Sequence, residues 1–480
     1  MKRNNLLPLL LLHIIFSINL YAQNPVYKFI NNPILKSANI SVMIKDMKTG
    51  KEICSHRPYS ATIPASTMKV ITTATALEIL GPDFRYETTI NYDGNISADG
   101  TLNGNLYIVG SGDPTLGSAK IGDQNFLSKW VEAVKKAGIK QINGAIFADE
   151  SLFDNEGYNS KWSWDDIGNY YAPGIYALAY LDNTLRVTFR SGAVGTTPDI
   201  TDISPKIKGL EIENNLLSSK ITFDSAYFYG APKSLYRSVR GEIPANKTAF
   251  VVKAELPCPG LMLANDFQQR LFQSGIKVSQ SAAEFSAKEV QNEKKIAQRT
   301  TIYKHLSVPL SQIIKETNER SNNLFAEQIF KSLSLKYDKV ATNKRSLDII
   351  RKYWKDKGLD VKQLVQHDGS GLSPADAVSA SLFADLMTYM YTKSNNKEVF
   401  FNSLPIAGRT GTLAGMLKNT TLEGKVFAKS GTIERVRSYT GYILSGDKEW
   451  AFAIMVNNAN GSSWQTLKVI EDLLIDSCKK

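Results

Sequence analysis

The chain has 480 residues, which is enough for two or three domains. Apolar residues make up 43% and charged residues 21%, a composition typical of globular proteins that argues against long disordered segments. The formal net charge is +11, but the basic residues are scattered along the chain, so the charge does not indicate nucleic-acid binding.

The first 22 residues differ from the rest of the chain. Lys2 and Arg3 form a basic start, residues 6–20 are mainly apolar, and Ala22 provides a small residue for cleavage. These features are typical of a secretory signal peptide. A membrane anchor is the alternative, but it needs about 20 apolar residues, and this run is shorter and interrupted by Pro8. The sequence therefore predicts a signal peptide at 1–22, export to the periplasm and a mature protein without an integral membrane anchor.

A hairpin and a helix are predicted before residue 86. Alternating apolar residues at 40–44 indicate a half-buried strand, and a turn at 48–51 leads into a second strand. Residues 66–80 have the apolar spacing of a helix, which the Gly-Pro pair at 81–82 ends.

Residues 86–296 have a different character, because short β-patterns and Gly, Asn and Asp turns dominate and one helix, near 124–137, interrupts them. A second hairpin at 438–456 and an amphipathic helix from 464 close the chain. Strands and helices at both ends of a β-rich middle predict one discontinuous domain that carries an inserted module. Between the inserted segment and the second hairpin, helices are predicted at 307–319, 322–335, 341–357 and 379–392.

The first motif that carries chemistry is S-x-x-K, formed by Ser66 and Lys69 at the start of the predicted helix. Residues three apart on a helix lie on one face, so the lysine amine reaches the serine hydroxyl. A serine becomes a good nucleophile when a neighbouring base takes its proton. A lysine serves as that base if desolvation or nearby positive charge lowers its pKa. Alone, the spacing is common at ordinary helix starts and predicts little.

Two further motifs lie in the C-terminal half of the chain. Residues 321–323 read Ser-Asn-Asn at the start of a predicted helix, and residues 429–432 read Lys-Ser-Gly-Thr at a predicted strand. Separately they are typical of a helix cap and a turn. Together with Ser66 and Lys69 they match, in order, the S-x-x-K, S-x-N and K-T-G motifs of penicillin-binding proteins and β-lactamases.

The three motifs together predict a role for each catalytic side chain. Ser321 relays a proton between Lys69 and the leaving amine, and Asn323 holds the substrate amide. Lys429 supplies positive charge to the cleft, which would also lower the pKa of Lys69. The nucleophile of the predicted reaction is Ser66.

The third motif predicts the binding of the substrate around the nucleophile. The hydroxyls of Ser430 and Thr432 bind a terminal carboxylate, and Gly431 leaves room for the substrate backbone beside the strand. The backbone N–H groups of Ser66 and Thr432 form an oxyanion hole, in which each donor contributes about 10²–10³ in rate.

At this point the chain resembles a known family, the D-alanyl-D-alanine carboxypeptidase/endopeptidase family, or class C low-molecular-mass penicillin-binding proteins. The resemblance covers essentially the whole mature chain. It includes six stretches besides the three motifs: Val109-Gly110-Ser111-Gly112-Asp113-Pro114-Thr115-Leu116, Trp162-Ser163-Trp164-Asp165-Asp166, Tyr171-Ala172-Pro173, Asp368-Gly369-Ser370-Gly371-Leu372-Ser373, Leu404-Pro405-Ile406-Ala407-Gly408 and Gly411-Thr412-Leu413.

The resemblance implies an α/β (α+β) catalytic domain of the β-lactamase/transpeptidase type, with an antiparallel sheet, helices on both faces and a helical lobe. It also implies two smaller β-rich inserted domains, one nested in the other, which agrees with the long stretch between Ser66 and Ser321. The expected boundaries are 24–86 and 297–480 for the catalytic domain, 87–165 and 257–296 for the inserted domain, and 166–256 for the nested domain.

The implied activity is that of a serine-type D-alanyl-D-alanine carboxypeptidase and D,D-endopeptidase. Its partners would be peptidoglycan stem peptides and cross-links, with β-lactams as inhibitors and without a metal or cofactor. The resemblance also places a carboxylate of the inserted module at the cleft rim, which Asp149 matches. One departure is Pro374, which stands where many family members carry an arginine.

Two alternative functions stay open at this stage. A β-lactamase is the alternative of the same chemistry, although the spacings from Glu211 to Asn215 and from Glu242 to Asn246 only mimic its deacylating loop. A non-catalytic β-lactam-sensing or wall-binding protein is the other, which the three intact motifs disfavour.

Overall fold

A computed structural model describes residues 25–286 and 298–479 of the chain. The predicted signal peptide at 1–22 lies outside the described residues. Across the two described ranges, none of the helices has the length and apolarity needed to cross a bilayer.

A five-stranded antiparallel sheet forms the centre of the catalytic part, and it is built from both ends of the chain. The two predicted hairpins supply four of its strands, and the strand that carries the third motif lies at its edge. The strands in spatial order are Glu52–His56, Asn39–Asp46, Lys448–Asn457, Val436–Ser445 and Val426–Ile433.

The alternation of side chains along the strands explains why helices cover both faces of this sheet. Val42 and Ile44 pack on one face in a core that includes the closing helix, Ser463–Cys478. Met43, which lies between them, packs on the other face in a core that includes the helix Ala380–Thr392. The predicted fold class, an antiparallel sheet between helices, is therefore confirmed.

A helical lobe packs beside the sheet, and its central helix begins just after Ser66. Residues Met68 to Leu77 of this helix are all buried, because other helices of the lobe and the edge strand of the sheet pack against it. Its predicted start at 66 is a short 3-10 turn, Ala65–Thr67, which leads directly into the α-helix. The helices of the lobe are Met68–Leu80, Leu310–Arg320, Asn323–Ser332, Asn343–Asp356 and Lys397–Phe401.

Within the described residues, the inserted module has two mixed sheets and two helices around a core of its own. The first helix, Phe126–Lys136, agrees with the prediction near 124–137. The second, Pro259–Gln273, contradicts the expectation of only one helix; its buried Leu263, Phe267 and Leu271 recur at helical spacing. In spatial order the sheets are Ala283–Phe285, Ile146–Asp149, Leu106–Val109, Glu87–Tyr92 and Thr300–Leu306, and Lys277–Val278, Gln141–Ile142, Thr101–Asn103 and Asn95–Ile96.

The strand Thr300–Leu306 pairs with Glu87–Tyr92 in the sheet of the inserted module. The chain therefore returns to the helical lobe near residue 307, later than the expected boundary at 297. Hydrogen bonding to a strand 200 residues earlier in the chain leaves no local pattern by which the sequence could mark this crossing.

The nested β-rich part consists of two three-stranded sheets that share a small apolar core. Its strands lie within the expected range of 166–256. The sheets are Asp199–Ser204, Thr184–Arg190 and Phe250–Glu255, and Glu211–Ser219, Tyr236–Pro244 and Tyr227–Tyr229.

Residues 152–179 connect the modules and pack on the core of the catalytic part. Phe153, Trp162, Ala172 and Ile175 are buried in the same core as the Met68–Leu80 helix. This packing brings the backbone of the connecting segment beside the candidate site described below.

Candidate active site

Ser66 lies at the mouth of a cleft, in the 3-10 turn that precedes the Met68–Leu80 helix. The residue before it, Ala65, has a φ of 48°, a left-handed conformation that few non-glycine residues adopt. From the first turn of the helix, Lys69 Nζ donates a hydrogen bond to Ser66 Oγ at 3.0 Å. The predicted pairing of the two side chains is thus present in the structure.

Lys69 is completely buried, and its amine has two further hydrogen-bond partners. Nζ donates to Asn323 Oδ1 at 2.6 Å and to the backbone carbonyl of Ser370 at 2.8 Å. Burial lowers the pKa of Lys69 to about 7, against the opposing effect of two buried carboxylates, Asp368 and Glu327. In the neutral state, two N–H groups stay bound to these acceptors and the lone pair faces the Ser66 hydroxyl.

The second motif lies at a sharp corner between two helices of the lobe. Helix Leu310–Arg320 ends at Ser321, whose left-handed backbone (φ 59°, ψ 40°) turns the chain. The next helix begins at once, with the Asn322 side chain capping it by accepting from a backbone N–H. Asn323 Nδ2 donates to the backbone carbonyl of Tyr171 at 2.7 Å, which ties the site to the connecting segment.

Lys429 is buried on the edge strand, and its amine contacts the second motif. Nζ donates to Ser321 Oγ at 2.9 Å and to the carbonyl of Ser430 at 2.7 Å. Burial and then the neighbouring Lys69 lower the pKa of Lys429 well below its usual range. The sequence assigned the lowered pKa of Lys69 partly to Lys429, but burial is the cause in the structure. Burial therefore drives both amines towards their neutral forms.

The hydroxyls of the third motif point into the cleft beside the nucleophile. Ser430 Oγ donates to Thr412 Oγ1 at 2.7 Å, so two hydroxyls lie together there. Thr432 is exposed, and Ser66 and Thr432 both line the two cavities that meet at the nucleophile. This arrangement is compatible with their backbone N–H groups sharing an oxyanion hole.

The packing around Gly431 gives a structural reason for glycine at this position. A Cβ atom at this position would lie 2.1 Å from Ser438 Oγ, 2.5 Å from the carbonyl oxygen of Pro64 and 3.0 Å from the backbone nitrogen of Ser66. The space that a side chain at this position would need is thus filled by the chain itself. Glycine is required because the edge strand packs directly against the turn that carries the nucleophile.

Asp149 is not part of the cleft in the structure, which corrects the placement expected for it. It is buried at the end of a strand of the inserted module and forms an ion pair with Arg299. Three carboxylates line the larger cavity at Ser66, those of Asp165, Asp166 and Glu434, and Tyr171 Oη donates to Asp166 Oδ1 at 3.0 Å. The Trp-Ser-Trp-Asp-Asp stretch that contains Asp165 and Asp166 was noted in the sequence, but without a role.

A buried glutamate, Glu327, supports the site, although the sequence motifs did not include it. Its carboxylate accepts from the backbone N–H of Ser370 at 2.7 Å and of Gly369 at 3.1 Å. Asp368 accepts from Gly371 N at 2.6 Å, and so these two carboxylates hold the loop that presents the Ser370 carbonyl to Lys69. Burial and the adjacent Asp368 raise the pKa of Glu327 above its usual range. The signal in the sequence that could have identified Glu327 is its position, one helical turn after Asn323.

A serine hydroxyl beside a buried lysine amine, with a two-helix corner and an edge strand around them, is the arrangement found in serine acyl-transfer enzymes of the β-lactamase/transpeptidase fold class. A sequence profile of the D-Ala-D-Ala carboxypeptidase 3 (S13) family matches residues 22–474. The chain therefore belongs to this family of hydrolases.

Known proteins with similar sequences and folds agree with the family. The chain is 27% identical to a D-alanyl-D-alanine carboxypeptidase of Actinomadura sp. (strain R39), over 90% of this chain and 80% of that protein. It is 25% identical to D-alanyl-D-alanine carboxypeptidase DacB of Haemophilus influenzae, over 93% and 91%. The crystal structure of penicillin binding protein 4 (dacB) from H. influenzae has the same fold, with a TM-score of 0.81 and 22% identity over 95% of this chain and 99% of that one.

Proposed function

We propose that the chain is an exported D-alanyl-D-alanine carboxypeptidase and D,D-endopeptidase that cleaves peptidoglycan stem peptides and their cross-links through an acyl-enzyme on Ser66. The observation that carries this proposal is the buried Lys69 amine, 3.0 Å from Ser66 Oγ. With a pKa of about 7, this amine is neutral in a large fraction of molecules near neutral pH.

In the first step, the neutral amine of Lys69 takes the proton of Ser66 Oγ as the oxygen attacks the carbonyl carbon of the penultimate D-alanine. The backbone N–H groups of Ser66 and Thr432 stabilise the negative oxygen of the tetrahedral intermediate. The Asn323 and Ser370 oxygens keep the amine oriented, because they accept its remaining protons.

In the second step, the tetrahedral intermediate collapses and the C–N bond breaks. The leaving amine takes up a proton from the Ser321 hydroxyl, which is resupplied by the protonated Lys69, so that Lys69 is neutral again for the hydrolysis step. The Ser430 and Thr412 hydroxyls bind the carboxylate of the departing residue. A carboxylate in this position also favours the charged form of Lys429, which burial opposes.

In the third step, water hydrolyses the ester on Ser66. The neutral Lys69 accepts a proton from the water as its oxygen attacks the ester carbonyl, and the proton returns to Ser66 Oγ when the C–O bond breaks. The products are the shortened stem peptide and free enzyme, so atoms and protons balance over the cycle.

The larger of the two cavities at Ser66 suits the acyl part of a stem peptide. It measures about 840 Å³, and Asn323, Asp165 and Asp166 line it together with the nucleophile. We assign these two carboxylates, in place of Asp149, to the free amine on the stem peptide's side chain. Burial raises the pKa of Asp166, and a bound cationic amine would favour its charged form.

β-Lactams are proposed as inhibitors that acylate Ser66 and form an acyl-enzyme that is hydrolysed slowly. The H. influenzae relative has been crystallised in complex with a β-lactam. Glu211 and Glu242, which mimic a deacylating glutamate in the sequence, lie on strands of the nested part and do not line either of the two cavities at Ser66. The β-lactamase alternative therefore has no observation in its favour, and the intact site disfavours a non-catalytic role.

Purified cross-linked and uncross-linked muropeptides test this function directly. The mature enzyme should release D-alanine from pentapeptide stems and convert dimers to monomers, and Ser66→Ala should do neither. Chromatography with mass spectrometry separates the two activities. A wild-type protein that leaves both substrates intact while remaining folded would contradict the proposal.

A further inference from the structure

One segment of the helical lobe concentrates positive charge, although basic residues occur throughout the chain. Residues 336–362 contain nine basic and four acidic residues, a formal excess of five positive charges, whereas the whole chain has an excess of eleven. All nine basic residues are exposed. Nearly half of the excess charge of the protein therefore lies on one short stretch of its surface.

The helix Asn343–Asp356 runs through this segment and has one buried and one charged side. Its buried residues recur at the spacing of a single helical face, and they are Ser346, Ile349, Ile350 and Trp354. On the opposite side Lys344, Arg351 and Lys355 are all exposed. The second and third of these follow the first by about two and three helical turns, so the three cations are aligned over about 16 Å. We call these three residues the basic face.

Acidic neighbours leave the basic face with an excess of positive charge. None of its three cations forms an ion pair with another described residue. The ion pairs of the segment lie beside the face, where Arg345 pairs with Asp338 at 2.7 Å and Lys352 pairs with Asp356 at 2.6 Å. Asp348, which stands between the cations in the chain, offsets only one of their charges. A partner with negative charge would therefore be attracted to this surface.

An exposed tyrosine stands at the edge of this charged segment. Tyr337 is 58% exposed, and the guanidinium carbon of Arg345 lies 6.0 Å from the centre of its ring. Tyrosine has an apolar ring and a polar tip, and it is enriched where lipid headgroups meet water. An exposed tyrosine beside cations on the outward side of a helix favours a lipid surface over a small anion enclosed in a pocket.

The basic face lies far from the nucleophile. Tyr353, on the same helix, donates from Oη to Glu78 Oε2 at 2.6 Å, so the helix packs on the C-terminal end of the Met68–Leu80 helix. Ser66 stands just before the other end of that helix, about 18 Å away at 1.5 Å per residue. Of the described residues that line the two cavities at Ser66, none belongs to 336–362. A partner bound to the basic face would therefore leave the cleft open.

We propose that the basic face binds the protein to a membrane surface of anionic lipid headgroups. Lys344, Arg351 and Lys355 contact the headgroups, and Tyr337 lies at the level where they meet water. Such attraction acts over about one Debye length, so binding is reversible and salt releases the protein without detergent. The inference goes beyond the proposed function, because it concerns a surface that takes no part in the reaction at Ser66.

Co-sedimentation of the mature protein with two kinds of vesicle tests this proposal. One kind is phosphatidylcholine alone, and the other contains phosphatidylcholine and phosphatidylglycerol in equal amounts. The protein should sediment only with the anionic vesicles, and less as salt is added. The triple variant Lys344→Gln, Arg351→Gln and Lys355→Gln should bind about a hundredfold more weakly, because each cation near an anionic membrane strengthens binding about fivefold. Binding within about twofold of wild type would overturn the proposal.

The matched control removes three cations from the nested part, by Lys208→Gln, Lys220→Gln and Lys247→Gln. These lysines are also exposed, and the change in net charge is the same. The control should bind nearly as well as wild type, and a loss equal to that of the first triple variant would overturn the proposal. Thermal unfolding should be unchanged in both variants, since exposed substitutions have small effects on stability. Arg351→Gln alone, with an expected fivefold loss, repeats the test with a smaller change.

Purified peptidoglycan sacculi provide the alternative anionic partner in the same assay. A wild-type protein that sediments with sacculi but not with anionic vesicles would assign the basic face to a wall polymer and overturn the proposal of a lipid surface. The assay measures binding and needs no turnover. A failure of the proposed function, seen as intact muropeptides and no reaction with penicillin, would therefore be distinct from a failure of this inference.

Discussion

Glu327 is connected to Lys69 through the backbone of one residue, Ser370. The N–H of Ser370 donates to the Glu327 carboxylate at 2.7 Å, and its carbonyl accepts from Lys69 Nζ at 2.8 Å. The orientation of the proposed base therefore depends on a buried carboxylate that does not itself touch the nucleophile. Glu327 is a positioning residue in this arrangement, and it also opposes the lowering of the Lys69 pKa.

We expect Glu327→Gln to reduce the rate of Ser66 acylation about tenfold to a hundredfold, because an amide group accepts only one of the two N–H bonds that the carboxylate accepts. The variant also removes the carboxylate whose ionised form raises the pKa of Lys69, so the acidic limb of the pH–rate profile should move to lower pH, by a small amount because the pKa of Glu327 is itself raised. Glu471→Gln is the control, since Glu471 is also buried and accepts a backbone N–H, from Leu417. A lower rate without any movement of the limb would reduce Glu327 to a structural role.

Penicillin should form a single covalent adduct on Ser66 that persists for minutes or longer. Slow deacylation is expected because Glu211 and Glu242 lie on the nested strands and line neither cavity at the nucleophile. Mass spectrometry of the tryptic peptide locates the adduct, and Ser66→Ala should abolish it. Labelling that survives this substitution, or rapid multiple turnover of penicillin, would contradict the assignment.

The acylation rate should fall as the pH decreases through about 7, because Lys69 then becomes protonated and no longer accepts the Ser66 proton. Lys69→Ala should lower the rate by about 10²–10⁴, the usual contribution of a general base. Lys69→Arg should be equally inactive, since a guanidinium keeps its proton in proteins. Stopped-flow acylation with a chromogenic β-lactam measures all three, and an active Lys69→Arg enzyme would exclude the lysine as the base.

Lys429→Ala should lower the plateau of the pH–rate profile for Ser66 acylation but leave its acidic limb near pH 7. The reason is that burial lowers the pKa of Lys69, whereas the pKa of Lys429 is itself driven well below its usual range. A limb that moves to higher pH in this variant would show that Lys429 is charged in the free enzyme and does depress the pKa of Lys69.

Asp149 and Asp166 should differ in what their substitution changes. Asp149→Asn breaks a buried ion pair with Arg299, so we expect a loss of about 3 kcal/mol in the free energy of unfolding and little change in kcat/KM. Asp166→Asn should instead lower kcat/KM for stems with a free side-chain amine relative to stems with that amine acetylated. Urea denaturation and muropeptide kinetics separate the two effects. A selective loss of amine-bearing substrates in Asp149→Asn would restore its predicted place at the rim.

The exported protein should begin near Gln23 and be recovered without detergent. This expectation depends on the basic start, short apolar run and small-residue end of residues 1–22. N-terminal sequencing of protein from the periplasmic fraction checks the cleavage site. A mature chain that retains Met1, or that is extracted only with detergent, would contradict it.

The sequence by itself determined the features that depend on local geometry and on the order of motifs. The i, i+3 spacing placed Lys69 beside Ser66 because both stand at the start of one helix, and alternating apolar residues predicted the hairpins of the catalytic sheet. The order of the three motifs, with the six shorter stretches, was sufficient for the resemblance to a family that the comparisons then showed.

Only the tertiary structure decided which residues surround those motifs. The low pKa of Lys69 comes from burial by segments far away in the chain, since Asn323 and Ser370 are 254 and 301 residues from it. Asp149 forms a buried ion pair with Arg299, which is 150 residues away in the chain. A residue's neighbours across such separations depend on how whole modules pack, and a single sequence carries no periodic signal of that packing.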